Sequence, residues 1–442
     1  MTLDRLHRVD DPSAQTHDPR SAGPGASSSR PLLFSYQIGA DRRKSDNEIR
    51  YGYAHYTYAV VAKRFVQLLK ELHLNPVEVL RPEIHPSAPA LAGVVGNERP
   101  VHLIFKPAEH IRVMRHAYNI GLVAWEFDKI TQAAVDKAPF SNQLRMLQLL
   151  DELWVASEHT KAVFARAGLG NIHVIPCPVP VPPSLPGARP DAGFLAGVDA
   201  LRLNFKPGRG AIERSEIADA EQLLRQHDRG SAKIFLSILN PHDWRKDIGC
   251  MIESFCALLK KDPRHVLLIK CVVDDVHFSI NNLYDMIHYR FAGESELVSD
   301  NVVFISKRLS DEQMTALYEY ADFYFCTSRA EGQCLPLIEA MAHGCVPVST
   351  SNTAMSDYID PTTALVLETF RTRVNPLATE FGKTDFYWHQ ATLDGCVRQL
   401  EAATRLGEAE YGALRAQARD KAEALFSPQS VGRRIKARLA RL

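Results

Sequence analysis

FYFCTSRAEGQCLPLIEAMAHGCVPVST, residues 323–350, reads as a strand, a loop, a helix and a second strand in succession. Phe323-Tyr324-Phe325-Cys326 is a short aromatic and apolar run suited to a strand buried on both faces. Ser328 to Cys334 is a polar loop containing Gly332. Pro336 fits the first turn of a helix, where its missing N–H has no partner to lose. That helix carries Leu337, Ile338, Ala340 and Met341 and stops at Gly344. Cys345-Val346-Pro347-Val348 opens the next strand, with Pro347 pointing to a strand end or an edge.

This grammar places two carboxylates. Glu331 falls in the loop at the carboxyl end of a parallel strand, where open α/β sheets bind ligands. Glu339 falls in the first turns of the helix, so both acids face one crevice. Free N–H groups near Cys334 and Leu335 at the helix start suit an anion such as pyrophosphate. The carboxylates are then left to accept hydrogen bonds from hydroxyl groups. Anion donors beside two hydroxyl acceptors fit a nucleotide sugar. Taken singly, Glu331 is a solvated loop acid and Glu339 a charge that favours the helix dipole. The strand–loop–helix frame around them tells against that blander reading.

The segment EGQCLPLIEAMAHGCVPV resembles the paired-glutamate signature of the GT-B glycosyltransferases of family 4, retaining enzymes that use nucleotide-diphosphate sugars. The resemblance implies that Glu331 contacts the transferred sugar and Glu339 the ribose hydroxyls, with Gly332, Cys334 and Leu335 around the donor. That family usually has Gly where this chain has Cys334. It also implies an α/β fold of GT-B type, two Rossmann-like domains whose parallel sheets face a central cleft.

Length and composition agree with such a plan. A chain of 442 residues exceeds what one core normally holds, so two domains are expected. Hydrophobic content of 45% and charged content of 24% are ordinary for a soluble globular protein. Fifty-two basic residues balance fifty-two acidic ones, so nothing global points to nucleic acid. The eight cysteines show no C-x-x-C spacing, and Cys271, Cys326 and Cys345 lie in apolar runs, which favours buried, reduced thiols and the cytoplasm. No apolar run reaches the roughly 18 to 20 residues of a membrane span, and MTLDRLHRVDDPSAQ lacks the apolar core of a signal peptide. No metal-ligand cluster stands out.

Residues 1–30, rich in Ser, Pro, Gly, Asp and Arg, are expected to be a disordered tail. The amino-terminal domain is expected over 31–177, opening with a strand at Leu32-Leu33-Phe34-Ser35-Tyr36 and a helix from about Tyr53 to Leu72. Gly52, at the loop–helix junction, matches the place where family members have a Gly-rich turn near the donor phosphates and acceptor. Flanked by Tyr51 and Tyr53, it reads equally as part of an aromatic helix face. Val101–Phe105 and Asn119–Ala124 read as further parallel strands. The second runs into Trp125-Glu126-Phe127, which with LDELWVASEHTKAVFARAG is similar to one family-4 subgroup. Glu126 is thus a candidate for acceptor or donor-sugar contact, against an equal reading as a surface loop acid. His110 reads first as a solvated residue on a basic amphipathic segment, and Ser157 as a helix N-cap, not a nucleophile.

Residues 178–230 begin with the Pro-rich PVPVPPSLPGARPDAG and are expected to be a linker with an insertion. A second, nucleotide-sugar-binding domain is expected over 231–410, starting at the buried strand Lys233–Leu239. That strand ends in Asn240-Pro241-His242-Asp243-Trp244-Arg245-Lys246-Asp247 before a helix. A basic pair in a strand-to-helix turn suits pyrophosphate, Arg245 binding bidentately and Lys246 as a point charge. In the resembled family a basic residue here neutralises the leaving diphosphate. Many members have Arg where this chain has Asn240, which hydrogen-bonds a phosphate without neutralising it. Lys307 and Arg308 follow another strand where the family's backbone reads the base, although Ser310-Asp311-Glu312-Gln313 also makes them neighbours of a capping box. Residues 411–442 end in SVGRRIKARLARL, where Val431, Ile435, Leu439 and Leu442 share a helical face. Docking back onto the first domain is the first reading, and peripheral attachment to anionic lipid at the inner face of the membrane the second.

The function expected is retaining transfer of a hexose-type sugar from a UDP- or GDP-linked donor to a hydroxyl of a glycan or lipid-linked acceptor. From the family, surface polysaccharide synthesis in the cytoplasm is the expected setting, with no tightly bound cofactor, no metal and no nucleic acid. Two rivals stand: a non-catalytic scaffold subunit of a polysaccharide assembly complex, and a sugar-phosphate synthase on the same fold.

Overall fold

Strands that are apolar at every position bury both faces, and those of this chain assemble into two mainly parallel sheets. The structure is a computed structural model describing residues 31–36, 54–84, 99–131, 142–185, 187–206, 214–226, 232–272, 297–374 and 385–442. The expected tail and Gly52 lie outside these residues.

The first sheet is built from β1 (Leu32–Ser35), α1 (Ala54–Glu71), β2 (Val77–Glu78), β3 (Val101–Phe105), β4 (Tyr118–Val123), α2 (Gln143–Leu147), β5 (Glu152–Val155), α3 (Glu158–Arg166) and β6 (Ile172–Val174). Its order is β2-β1-β3-β4-β5-β6, and every neighbouring pair is parallel. On α1, Ala62, Phe65, Leu68 and Leu69 recur at helical spacing and are buried against Leu32, Leu103 and Trp154. Ser157 caps α3, its Oγ accepting from the Thr160 N–H at 3.1 Å, which is a structural duty.

The second sheet takes β7 (Asp199–Phe205), β8 (Ala218–Asp219), α4 (Ala220–Arg225), β9 (Ile234–Leu239), α5 (Ile248–Lys261), β10 (Val266–Cys271), β11 (Leu297–Ile305), α6 (Asp311–Tyr320), β12 (Phe323–Cys326), α7 (Leu335–Ala342), β13 (Val346–Thr350) and β14 (Leu365–Leu367). Along β9, Ile234, Leu236 and Ile238 enter one core while Phe235 and Leu239 enter the other, the two-residue period of a strand covered on both sides. The order is β14-β13-β12-β9-β10-β11-β7-β8. From β9 the chain moves to one side through β10 and β11, then crosses back to β12 on the other. The sheet therefore reverses direction between β9 and β12, and their carboxyl ends border the crevice where such sheets bind ligands.

One expectation is corrected and another narrowed. The 178–230 stretch is more than a linker with an insertion: β7, β8 and α4 lie within it. β7 pairs antiparallel with β11, covering an edge that would otherwise expose a ladder of open N–H and C=O groups. Its alternation was present in the sequence, for Leu201, Leu203 and Phe205 are buried between less buried Arg202 and Asn204. The strand end to which Pro347 pointed holds, since it is the second residue of β13, while β13 itself is interior to the sheet and not an edge. Pairing with β14 begins only at Val348, so the residue lacking an N–H precedes that ladder.

β15 (Thr369–Arg373) and β16 (Tyr387–Ala391) form an antiparallel pair, followed by α8 (Leu393–Arg405), α9 (Glu408–Phe426) and α10 (Pro428–Leu439). These late elements touch the first half. Phe386 stacks on Phe127 with ring centroids 5.0 Å apart, and Arg371 pairs with Asp128 at 2.7 Å. On α10, Val431 and Ile435 are fully buried among Leu32, Phe34, Leu68 and Leu69. Arg438 grips the buried Glu152 carboxylate with two donors at 2.8 and 2.7 Å. Among the described residues no helix is long and apolar enough to cross a membrane.

Candidate active site

The chain leaves β9 through a turn whose sequence makes its own scaffold. Asn240 Oδ1 accepts from the His242 N–H at 2.9 Å, and Asp243 Oδ1 accepts from the Arg245 N–H at 3.0 Å. One helical turn, Trp244–Lys246, follows, and Asp247 reverses into the left-handed region at φ +47 to start α5. Arg245 and Lys246 are thereby presented at the carboxyl end of the sheet. The Lys246 ammonium meets the Glu331 carboxylate, which is 5% exposed and comes from the loop after β12. Burial pulls the Lys246 pKa down, but the Glu331 charge more than reverses this and leaves it raised, so the amine stays charged.

Glu331 is held from behind. Its N–H donates to Thr353 Oγ1 at 2.8 Å, and the Ala354 N–H donates to its carbonyl at 3.2 Å. Gly332 presses on the other half of the molecule: a Cβ there would stand 3.0 Å from Ala124 Cβ and 3.4 Å from the Trp125 nitrogen. Gln333 binds both backbone groups of Cys177, at 2.9 and 3.0 Å. Cys334 is the N-terminal cap of α7, at φ +62. Leu335 opens the helix and packs against the cores of both halves. Glu339 faces inward: one oxygen accepts from Tyr318 Oη at 2.5 Å and the other meets the Arg64 guanidinium of α1.

Across the cleft, Glu126 at the end of β4 pairs with Arg245 at 2.7 Å, and Asp243 holds the same guanidinium at 2.7 Å. Burial disfavours the charge on Arg245, yet Asp243, Glu126 and Glu331 together keep its pKa raised well above normal. Beside Glu126, Tyr58 Oη accepts from the Ala124 N–H at 3.3 Å. Its pKa is raised by burial and then by the charges of Glu126 and Glu109, so it remains a phenol.

The structure thus brings Lys246, Arg245, Glu331 and Glu126 into one linked set of charges, with Glu339 on the helix behind the Glu331 loop. Asn240 belongs to the turn itself. Lys307 stands apart from the set, its Nζ donating to the Gly197 carbonyl at 2.8 Å, and Arg308 beside it is exposed. The sequence reading missed Arg64, Tyr58, Asp243, Tyr318 and Thr353. Arg64 interrupts the apolar spacing of α1 and was a visible signal, whereas its partner lies 275 residues away. Among the described residues no group of three or more His, Cys, Asp or Glu is arranged to hold a metal ion.

Comparison with known proteins agrees with the fold. Residues 233–370 match the family model described as glycosyl transferases group 1. No curated protein matches the chain. Among solved structures, the sucrose-phosphate synthase of Thermosynechococcus elongatus is similar at 13% identity and a TM-score of 0.56, over 93% of this chain and 99% of that one. Anabaena HepE, solved with UDP and glucose, shares 13% identity over 93% of this chain and 100% of its own, with a TM-score of 0.50. S. aureus TarM, solved with UDP among its ligands, shares 13% identity with a TM-score of 0.50. The match to TarM covers 80% of this chain but only 58% of that one. The fold is GT-B, with two Rossmann-like domains. Within it, the family match falls on the half of the chain that holds the second sheet.

Proposed function

We propose that the protein is a family 4 retaining glycosyltransferase that moves a hexose-type sugar from a UDP- or GDP-linked donor to a hydroxyl of a glycan or lipid-linked acceptor. The observation that carries this reading is the Lys246–Glu331 pair, set where the second sheet reverses direction. A diphosphate arriving there draws Lys246 and Arg245 toward its oxygens and frees Glu331 to accept from the sugar's hydroxyls. Glu339 takes the ribose hydroxyls, and the amides at the start of α7 add to the anion site. The bond between the anomeric carbon and the diphosphate breaks as the acceptor oxygen bonds to the same face. The acceptor's proton passes to the departing phosphate oxygen. Positive charge from Lys246 and Arg245 stabilises the diphosphate as it leaves. Glu126 orients the acceptor or the sugar from the opposite wall. Surface polysaccharide synthesis in the cytoplasm, with peripheral contact at the membrane, is the setting this reading favours.

A sugar-phosphate synthase is the second reading, favoured by the likeness to the sucrose-phosphate synthase along nearly the whole chain. One experiment separates both from a non-catalytic scaffold. Incubated with a panel of nucleotide sugars and neutral or phosphorylated sugar acceptors, the protein is expected to release nucleoside diphosphate. Glu331→Ala is expected to lower that release by at least about 100-fold, about 2.7 kcal/mol of transition-state stabilisation. Neither release nor donor binding by the unaltered protein would leave the scaffold.

A further inference from the structure

The basic turn is held by residues that touch no substrate in the reading above. Four successive carbonyls, from Trp244 to Asp247, face three donors from the loop after β12. Arg329 Nη1 donates to the Trp244 carbonyl at 2.7 Å, and the Arg329 N–H to the Arg245 carbonyl at 2.7 Å. Thr327 Oγ1 lies 2.9 Å from the Lys246 carbonyl and 3.2 Å from that of Asp247. The remaining fork of Arg329 pairs with Asp247 Oδ1 at 2.7 Å, while Arg329 Nε donates to Gln390 Oε1 at 2.6 Å. Gln390 Nε2 closes the ring on Asp247 Oδ2. The Asp247 side chain is fully buried, and Arg329 lies 4.8 Å from the centroid of the Trp388 ring.

Asp247 stands in the left-handed region at φ +47, which a residue with a Cβ adopts less readily than glycine. That conformation is what turns the chain sharply enough for Lys246 to face Glu331 while α5 starts at Ile248. A buried carboxylate held by a guanidinium fork and an amide fixes that backbone more firmly than a glycine would.

We propose that Arg329, with Asp247 and Gln390, is a positioning group that aims Arg245 and Lys246 at the donor's diphosphate. The inference rests on the donor site described under the proposed function. Because Gln390 and Trp388 belong to β16, whose hairpin packs on Phe127 of the first half, the aim of the basic turn is tied to how the two halves meet. Arg329 acts through the turn, and its loss therefore affects phosphate recognition more than recognition of the nucleoside.

Calorimetric titration of the full chain with UDP, GDP and ADP, and with the monophosphate of whichever binds tightest, tests this. Lys246→Ala is expected to weaken the diphosphate and spare the monophosphate. Arg329→Gln is expected to weaken the diphosphate about tenfold, the scale of a coupled polar network, and to change the monophosphate less than about twofold. Arg329→Lys, which cannot make the fork, is expected to behave as Arg329→Gln does. Combined with Lys246→Ala, Arg329→Gln adds clearly less than its roughly tenfold loss alone, because only Arg245 is then left to be aimed. Equal weakening of both nucleotides, or losses that multiply in the double variant, would overturn the positioning role. If Lys246→Ala leaves diphosphate affinity unchanged, or no nucleotide binds, the donor-site reading fails first and takes this inference with it. Should Arg329→Gln not fold, Gln390→Leu removes one of the two partners of Asp247 and is expected to give the same diphosphate-selective loss, about threefold; absence of that selectivity is equally fatal.

Discussion

Cys334 stands at φ +62, where a side chain costs about 1–2 kcal/mol relative to glycine. The resembled family's usual glycine is therefore explained by backbone conformation, and the thiol is tolerated because it is buried in the second half's core. Comparing two thiol-free variants isolates the backbone effect. Cys334→Gly is expected to be about 1 kcal/mol more stable than Cys334→Ala in urea unfolding. Equal stability would mean the loop relaxes out of the left-handed region. At this scale the sequence was informative where local grammar speaks. Glu331, Glu339, Arg245 and Lys246 could be placed from their positions after strands and in helix starts. Arg64 and Arg329 could not, because their partners lie in elements far along the chain and a single sequence carries no record of such meetings.

Gly344 decides where an element stops. It ends α7 at φ +88, and a Cβ there would stand 2.6 Å from Arg415 Nε and 2.7 Å from a Leu185 methyl carbon. Arg415 also donates to the Gly344 carbonyl at 3.2 Å, so α9 is fitted against this turn. Gly344→Ala is expected to lower stability by about 2–4 kcal/mol, strain and crowding together, read as a drop in the denaturant midpoint at unchanged slope. Elements such as β9, β12 and α7 were legible because their apolar runs are bounded by Gly, Pro or charged turns. β7 was not: its alternation sits among prolines and glycines, which resemble a linker until β11 supplies an edge to pair with.

For the molecule as a whole, buried histidines set the response to acid. His102 on β3 lies between Asn119 Oδ1 at 3.0 Å and Ser35 Oγ at 3.1 Å. The Asn119 amide donates to the Met114 and Ala117 carbonyls, so its oxygen faces the ring and accepts from Nδ1–H. Burial lowers the His102 pKa to about 4 despite that hydrogen bond. His159, His265 and His389 are likewise lowered, chiefly by burial. Below the unfolded value near 6.5 the unfolded chain takes up protons that the folded one refuses. Stability is therefore full above about pH 6.5 and falls as pH drops toward 4, by up to about 3 kcal/mol for His102 alone. Calorimetric scans are expected to show Tm falling by several degrees between pH 7 and pH 5, and a flat profile would contradict it.

The seat of α10 has a consequence for biosynthesis. Leu32, Phe34, Leu68 and Leu69 are covered by Val431 and Ile435, so the first strand among the described residues waits for a helix made about 400 residues later. At about 5–20 residues per second, some tens of seconds separate them. During that interval the nascent first half carries an open greasy flank, and a chaperone or a provisional partner has its opportunity there before the carboxyl-terminal helix shuts it.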